Sequence, residues 1–374
     1  MLIGGLLMAT TLVVFVDAGA WKLPIQEVKR VNRNNTLGPL HDVYRELLNF
    51  DRTHYRAAVY VGMPRMTFQV VIDTGSHILW VPKKGCKATG VGLIGNCKSG
   101  KYVYDPKGSA SAEDLHEPFS IKYGSGESWV KGHYFKDVFS FGENMRLPEP
   151  ITFGVGEEMN NRDQGILGLG NAINESELGS SIIHEAWRHK IIDAPIFTIY
   201  LRKCPDSEEC EKHGTITIGS HDKEMCDKSV GRVNVVPDST YWIFEVTSMQ
   251  LGLARVFKPF NAITDSGAPG IFVPPDDYRH LMRTINAKRT ESGYVVQCDI
   301  DIELRLFING KYYVIPENQL LVNLHNGYCS LRIFAFNHPD GLWLLGTPFV
   351  LTYCMIHNIE THTVEFAPAL TKHE

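Results

Sequence analysis

The chain has 374 residues, enough for the cores of two lobes, and carries a formal charge of −5. Its basic residues form no nucleic-acid footprint, and after the first 16 residues no segment is apolar enough to span a bilayer. It holds 15 histidines, so full protonation would carry the charge from −5 to +10 before any carboxylate titrates.

In chain order, residues 2–16 are apolar and Ala18-Gly19-Ala20 supplies a small-residue cleavage pattern, so 1–20 reads as a secretory signal peptide. A membrane anchor competes with this reading, but the stretch is short and no cationic flank follows it directly. From Trp21 to about residue 50 the composition changes, with Lys22, Lys29, Arg30, Arg33 and Arg45 crowded together. This stretch reads as a propeptide whose cations could neutralise acidic groups until the pH falls; a basic arm of the mature protein is the alternative.

Short runs of β-branched and aromatic residues then alternate with Gly and Pro, as at Tyr60-Val61 before Gly62-Met63-Pro64 and Leu304–Ile308 before Asn309-Gly310. Helical patterning is confined to Ser180–Lys190 and Asp276–Ile285, so the expected class is all-β with small helical decorations. Asn34 and Asn174 each open an Asn-x-Ser/Thr glycosylation triplet.

Two short motifs carry chemistry. Val70-Val71-Ile72 leads into Asp73-Thr74-Gly75 and out through Ile78-Leu79-Trp80; Ala262-Ile263 leads into Asp265-Ser266-Gly267 and out through Ile271-Phe272-Val273. Each reads as strand, tight turn, strand, with Gly permitting the turn and a hydroxyl able to bond across it. A lone triplet is only a polar turn. Here each is followed by an apolar-apolar-Gly segment: Gly165–Gly170, with Gly168 standing 95 positions after Asp73, and Leu342–Gly346, with Gly346 standing 81 after Asp265. Gly would let a buried strand cross close behind each acidic turn. The chain thus holds a weak internal repeat with one acid per copy.

On these segments, together with Phe68–Pro82, Phe119–Gly126, Ala262–Pro274 and Leu345–Ala367, the chain resembles the pepsin-like aspartic peptidases along nearly its full length after the leader. The resemblance implies a bilobal all-β fold with a cleft between an N-terminal lobe at 51–200 and a C-terminal lobe at 201–374. It implies Asp73 and Asp265 as a dyad sharing one proton. Thr74, Gly75, Ser76, Ser266 and Gly267 would support it, with Thr74 and Ser266 bonding across the dyad and Ser76 bonding Asp73. Phe119–Gly126 alternates into a Gly-rich turn. By resemblance it is a flap whose Tyr123 bonds Trp80 and whose Gly124 and Ser125 backbone binds extended peptide. Val71, Phe119 and Tyr123 would line an apolar pocket, favouring large hydrophobic residues at the cut bond.

Implied partners are protein or peptide substrates and pepstatin-like inhibitors. No cofactor, metal or membrane anchor is expected, and a monomer suffices because one chain supplies both acids. Stomach members of the family are usually far more acidic and poorer in basic residues, so a charge of only −5 fits mild acidity better, with the protein secreted or lysosomal.

Eight cysteines in a chain with a secretory leader read as four disulfides, with 105 pairings open on sequence alone. The resemblance narrows these to Cys86–Cys97, Cys204–Cys210, Cys226–Cys354 and Cys298–Cys329, the third being like nematode members. No Cys-x-x-Cys spacing supports zinc.

The chain departs from the family pattern around the second acid. Ala268 removes a hydroxyl expected to bond Asp265, Pro269 removes a hydroxyl and an N–H, and Gly270 removes an apolar packing contact. Asn358 replaces a usual Asp, Glu360 and Glu365 replace small residues, and His77 follows the first motif where a small polar residue is usual. A catalytically weakened or inactive member of the fold, binding peptide or protein in its cleft, is therefore the competing function. A carbohydrate hydrolase also uses paired carboxylates but would not explain the repeated Asp-Ser/Thr-Gly turns.

Overall fold

A computed structural model of the protein describes residues 21–29, 53–89, 97, 102–124, 128–141, 145–160, 165–171, 181–202, 213–290 and 293–370. Strands dominate, arranged as two β lobes. Their burial follows the two-residue period of the sequence. Along Leu304–Ile308, Leu304, Leu306 and Ile308 face the core while Arg305 points to solvent. Among the described residues the two longer helices are Ile182–Arg188 and Pro275–Thr284. The second begins one residue before its expected start, because Pro275 has the fixed φ suited to a first helical position. Both end one or two residues short of the patterned stretches, where His189 and Ile285 leave helical geometry.

An antiparallel set of strands joins the lobes. Thr363–Pro368, Tyr353–Asn358, Ile196–Leu201 and Gly214–Ile218 lie side by side. Trp21–Lys29 continues this set, pairing Trp21–Pro24 with Gly214–Ile218 and Ile25–Lys29 with Thr53–Val61. The segment expected as a propeptide thus contributes a strand to the sheet.

The internal repeat is a topological one. Ile166–Gly168 runs parallel to Met66–Asp73 and antiparallel to Leu79–Ala88, so it threads between the two arms of the first acidic turn. Trp343–Leu345 does the same between Phe260–Thr264 and Ile271–Val273. Glycine is required at both crossings. A Cβ on Gly168 would lie 2.4 Å from the Ile78 nitrogen, and one on Gly346 would lie 2.3 Å from the Gly270 carbonyl oxygen.

Among the described residues three disulfides form, Cys86–Cys97, Cys226–Cys354 and Cys298–Cys329. Cys204, Cys210, Asn34, Asn174, Ser125 and the 1–20 leader lie outside the described residues. Among the described residues no helix is long and apolar enough to cross a membrane, and no cluster of His, Cys, Asp or Glu has the makings of a metal site.

Candidate active site

The two threaded turns meet at the junction of the lobes. Thr74 and Ser266 are buried and bond reciprocally across it. Thr74 N–H donates to Ser266 Oγ at 3.1 Å, and Ser266 N–H donates to Thr74 Oγ1 at 3.0 Å. Each hydroxyl then donates onward into the opposite strand, Thr74 Oγ1 to the Thr264 carbonyl at 2.8 Å and Ser266 Oγ to the Ile72 carbonyl at 2.7 Å. Four backbone groups that would otherwise be buried unpaired are satisfied by two side chains, which locks the turns to each other.

This lock brings Asp73 and Asp265 within hydrogen-bonding reach. Gly75 and Gly267 make the approach possible. A Cβ on Gly75 would lie 2.6 Å from the Asp265 carboxyl carbon, and one on Gly267 would lie 2.7 Å from Asp73 Oδ1. Both triplet glycines are needed here for space, because neither has the positive φ that a side chain would strain.

The two acids have unequal surroundings. Asp73 Oδ1 accepts from Gly75 N–H at 2.9 Å, and Asp73 Oδ2 accepts from the Ser76 hydroxyl at 2.5 Å. Asp265 Oδ1 accepts from Gly267 N–H at 2.9 Å, but Ala268 offers no matching hydroxyl. Asp265 holds its proton well above the usual carboxylate range. Enclosure of the carboxyl contributes most, followed by the charge of Asp73 and the hydrogen bond between the two acids; the Gly267 and Ala268 N–H groups oppose the rise.

On one side of the dyad, Trp80 Nε1 donates to the Tyr123 hydroxyl at 2.7 Å, tying the end of the Glu113–Tyr123 strand to the arm leaving the first turn. Val71, Ile78, Trp80, Phe119, Val130, Met159 and Ile166 form an apolar cluster with Tyr123 packed against it. Gly154 makes room for Phe119, since a Cβ there would lie 2.6 Å from the ring. Gly124, next to Tyr123, adopts φ of +58° at the exposed turn.

Several departures from the family pattern acquire partners. The space beside Gly270 is filled, because a Cβ there would lie 2.4 Å from Phe334 Cε2; the apolar contact expected to be lost is supplied by that ring. Asn358 Oδ1 accepts from Thr361 N–H at 2.9 Å, and Glu365 pairs with Arg232 at 2.5 Å. His77 meets Tyr241 edge-on with ring centroids 6.5 Å apart.

Two residues near the dyad escape a reading of motifs. Burial, and then the charges of Asp73, Asp340 and Asp265, raise the proton affinity of the Tyr241 phenol, so it lies within electrostatic range of both acids. His357 is fully buried in the Tyr353–Asn358 strand. Its only sequence signal is an imidazole inside the run Tyr353-Cys354-Met355-Ile356.

A family model described as Eukaryotic aspartyl protease matches residues 54–369. The chain belongs to this family. As an aspartyl protease it is similar to Aspartic protease 2 of Necator americanus, at 26% identity over 95% of this chain and 92% of that protein. It is similar to Cathepsin E of Cavia porcellus at 27% identity, covering 87% of this chain and 83% of the relative. Plasmepsin IV of Plasmodium falciparum (isolate 3D7) is 30% identical over 83% of this chain and 68% of its own length. This aspartyl protease is accordingly a peptide hydrolase of the aspartic endopeptidase type, and its two-lobed β architecture is that of the pepsin-like fold.

Proposed function

We propose that the protein hydrolyses peptide bonds in extended or denatured proteins at acidic pH, through a water activated by Asp73 and Asp265. The observation that carries the reading is the unequal hydrogen bonding of two acids held face to face. Asp73, with the Ser76 hydroxyl, is the ionised partner; Asp265, without one, keeps the shared proton.

The chemistry follows from that division. Asp73 removes a proton from water while the water oxygen bonds the scissile carbonyl carbon. Asp265 gives its proton to the carbonyl oxygen, producing a tetrahedral diol. On collapse a diol proton returns to Asp265, Asp73 passes its proton to the amide nitrogen, and the C–N bond breaks. Both acids regain their starting states, with no covalent enzyme intermediate.

Tyr123, Gly124 and Ser125 act as the flap, held by Trp80, and their backbone receives an extended substrate as an added strand. Val71, Phe119 and Tyr123 supply the apolar surface that favours a large hydrophobic residue at the cut. A cleft that only binds peptide is not favoured, because both acids and the flap tyrosine are retained. The lobes divide near residue 200, the 21–50 segment is removed on activation, and pepstatin-like compounds occupy the cleft. The enzyme acts as a monomer after entering the secretory route, consistent with its disulfides.

The test is cleavage of a denatured-protein substrate from acid to neutral pH, with wild type, Asp73→Ala and added pepstatin. Activity that peaks in acid, disappears in the variant and is blocked by the inhibitor is expected. A folded, processed protein without activity at any pH would overturn the proposal.

A further inference from the structure

His357 sits behind the dyad at the centre of the interlobe sheet, paired with Phe197 on one side and Val364 on the other. Its ring lies flat on Phe197, with centroids 4.5 Å apart at 9°, and meets Trp242 at 4.8 Å. Nε2 is 3.3 Å from Thr264 Oγ1, while Nδ1 is buried with no hydrogen-bond partner among the described residues.

Two routes connect this imidazole to the catalytic turns. Thr264 immediately precedes Asp265, and its carbonyl receives the Thr74 hydroxyl at 2.8 Å. Trp242 Nε1 donates to the Leu169 carbonyl at 2.7 Å, and Leu169 N–H donates to the Asp73 carbonyl at 2.7 Å. One side chain thus backs both acids, Asp265 through Thr264 and Asp73 through Trp242 and Leu169.

A neutral imidazole suits this position and an imidazolium does not. Neutral, the ring can carry its proton on Nε2 and donate it to Thr264 Oγ1, leaving only an acceptor lone pair at Nδ1 without a partner. Protonated, both nitrogens must donate, and Nδ1–H would face an apolar wall at full desolvation cost. Among the described residues no carboxylate faces the ring to compensate. The 196–201 strand turns Phe197 to it, the 363–368 strand pairs Val364 with it, and the 242 region presents Trp242 while Tyr241 turns toward His77. The 260–264 strand presents Thr264, with Asp265 and Asp73 lying beyond. Burial alone lowers the proton affinity of His357, from 6.5 to about 3.

We infer that His357 is a positioning residue for the dyad, that its neutral ring holds the backs of both catalytic turns, and that its protonation releases them and sets the acid limit of the enzyme. The inference rests on the Asp73/Asp265 reading for its catalytic half only. The sign follows from linkage. As pH falls below 6.5 the unfolded chain takes up a proton that the folded protein refuses until about 3. Across that window this one group lowers the folding constant by about tenfold per pH unit.

His357→Phe keeps a flat ring against Phe197 and Trp242 but cannot titrate, and His357→Gln keeps a donor toward Thr264 in case the first variant fails to fold. Acid unfolding of the full chain, followed by tryptophan fluorescence, should show a midpoint at lower pH in the variants and a slope reduced by one proton. The acid limb of kcat should move to lower pH with it. Unchanged acid-unfolding curves in both variants would overturn the inference. A shifted unfolding curve with an unmoved kcat limb, after correction for the folded fraction, would overturn the positioning role. Loss of the dyad reading would appear instead as an inactive wild type, while the fluorescence titration would still test His357.

Discussion

Thr74 and Ser266 together tie the two halves of the proposed active site, and their contribution can be measured as a pair. Ser266→Ala strands the Thr74 N–H and the Ile72 carbonyl, and Thr74→Val strands the Ser266 N–H and the Thr264 carbonyl. With about 1–3 kcal/mol for each buried group left unpaired, each variant should lose roughly 2–6 kcal/mol of stability. The side chains share no single bond, so a simple inventory predicts additive losses. The geometry predicts otherwise. Once either side chain is gone the turns can separate and admit water, so the second substitution costs less, with a coupling of about 1–3 kcal/mol. Denaturant unfolding of wild type, both single variants and the double variant gives this coupling directly. Steady-state kinetics on the same proteins should show kcat falling on the order of 100-fold, as for a reacting group displaced by about 1 Å. Additivity within about 0.5 kcal/mol, or single variants with wild-type kcat, would refute the idea that this lock aligns the acids.

Ser76→Ala removes the hydroxyl donated to Asp73 and so makes that carboxylate easier to protonate. The acid limb of kcat/KM should move to higher pH, with rates on that limb falling roughly 10- to 150-fold for a bond to a charged group worth ~1.5–3 kcal/mol; a pH profile superimposable on wild type would count against Asp73 as the base. The Cys226–Cys354 bridge closes a separation of 128 residues, so the paired Ser variant should lose about 5 kcal/mol in the chain-entropy account. Denaturant unfolding checks this, and a loss below about 1 kcal/mol would mean that the strands around Cys354 hold their place without the bridge.

The sequence alone was enough to determine local chemistry and strand character. The Asp-Thr-Gly and Asp-Ser-Gly turns, their apolar flanks and the later glycine segments were legible because each is a short-range pattern with a steric cause. Gly168 and Gly346 show this, since each marks a backbone crossing that leaves no room for a side chain. The all-β class followed from two-residue alternation, visible at Leu304–Ile308. Helix ends were less legible, because Ile285 continues an apolar pattern after the backbone has left the helix.

Tertiary structure decided what depended on residues far apart in the chain. The space beside Gly270 is filled by Phe334, and the strand Trp21–Lys29 finds its place between Gly214–Ile218 and Thr53–Val61. The approach of the two acids likewise depends on folding, which brings Thr74 and Ser266, 192 positions apart, to hydrogen-bond distance. His357 is the clearest case. In the sequence it is one histidine among 15, and only folding encloses it between Phe197, Trp242 and Thr264. Burial and a missing partner are properties of an environment, and that environment is assembled from both halves of the chain.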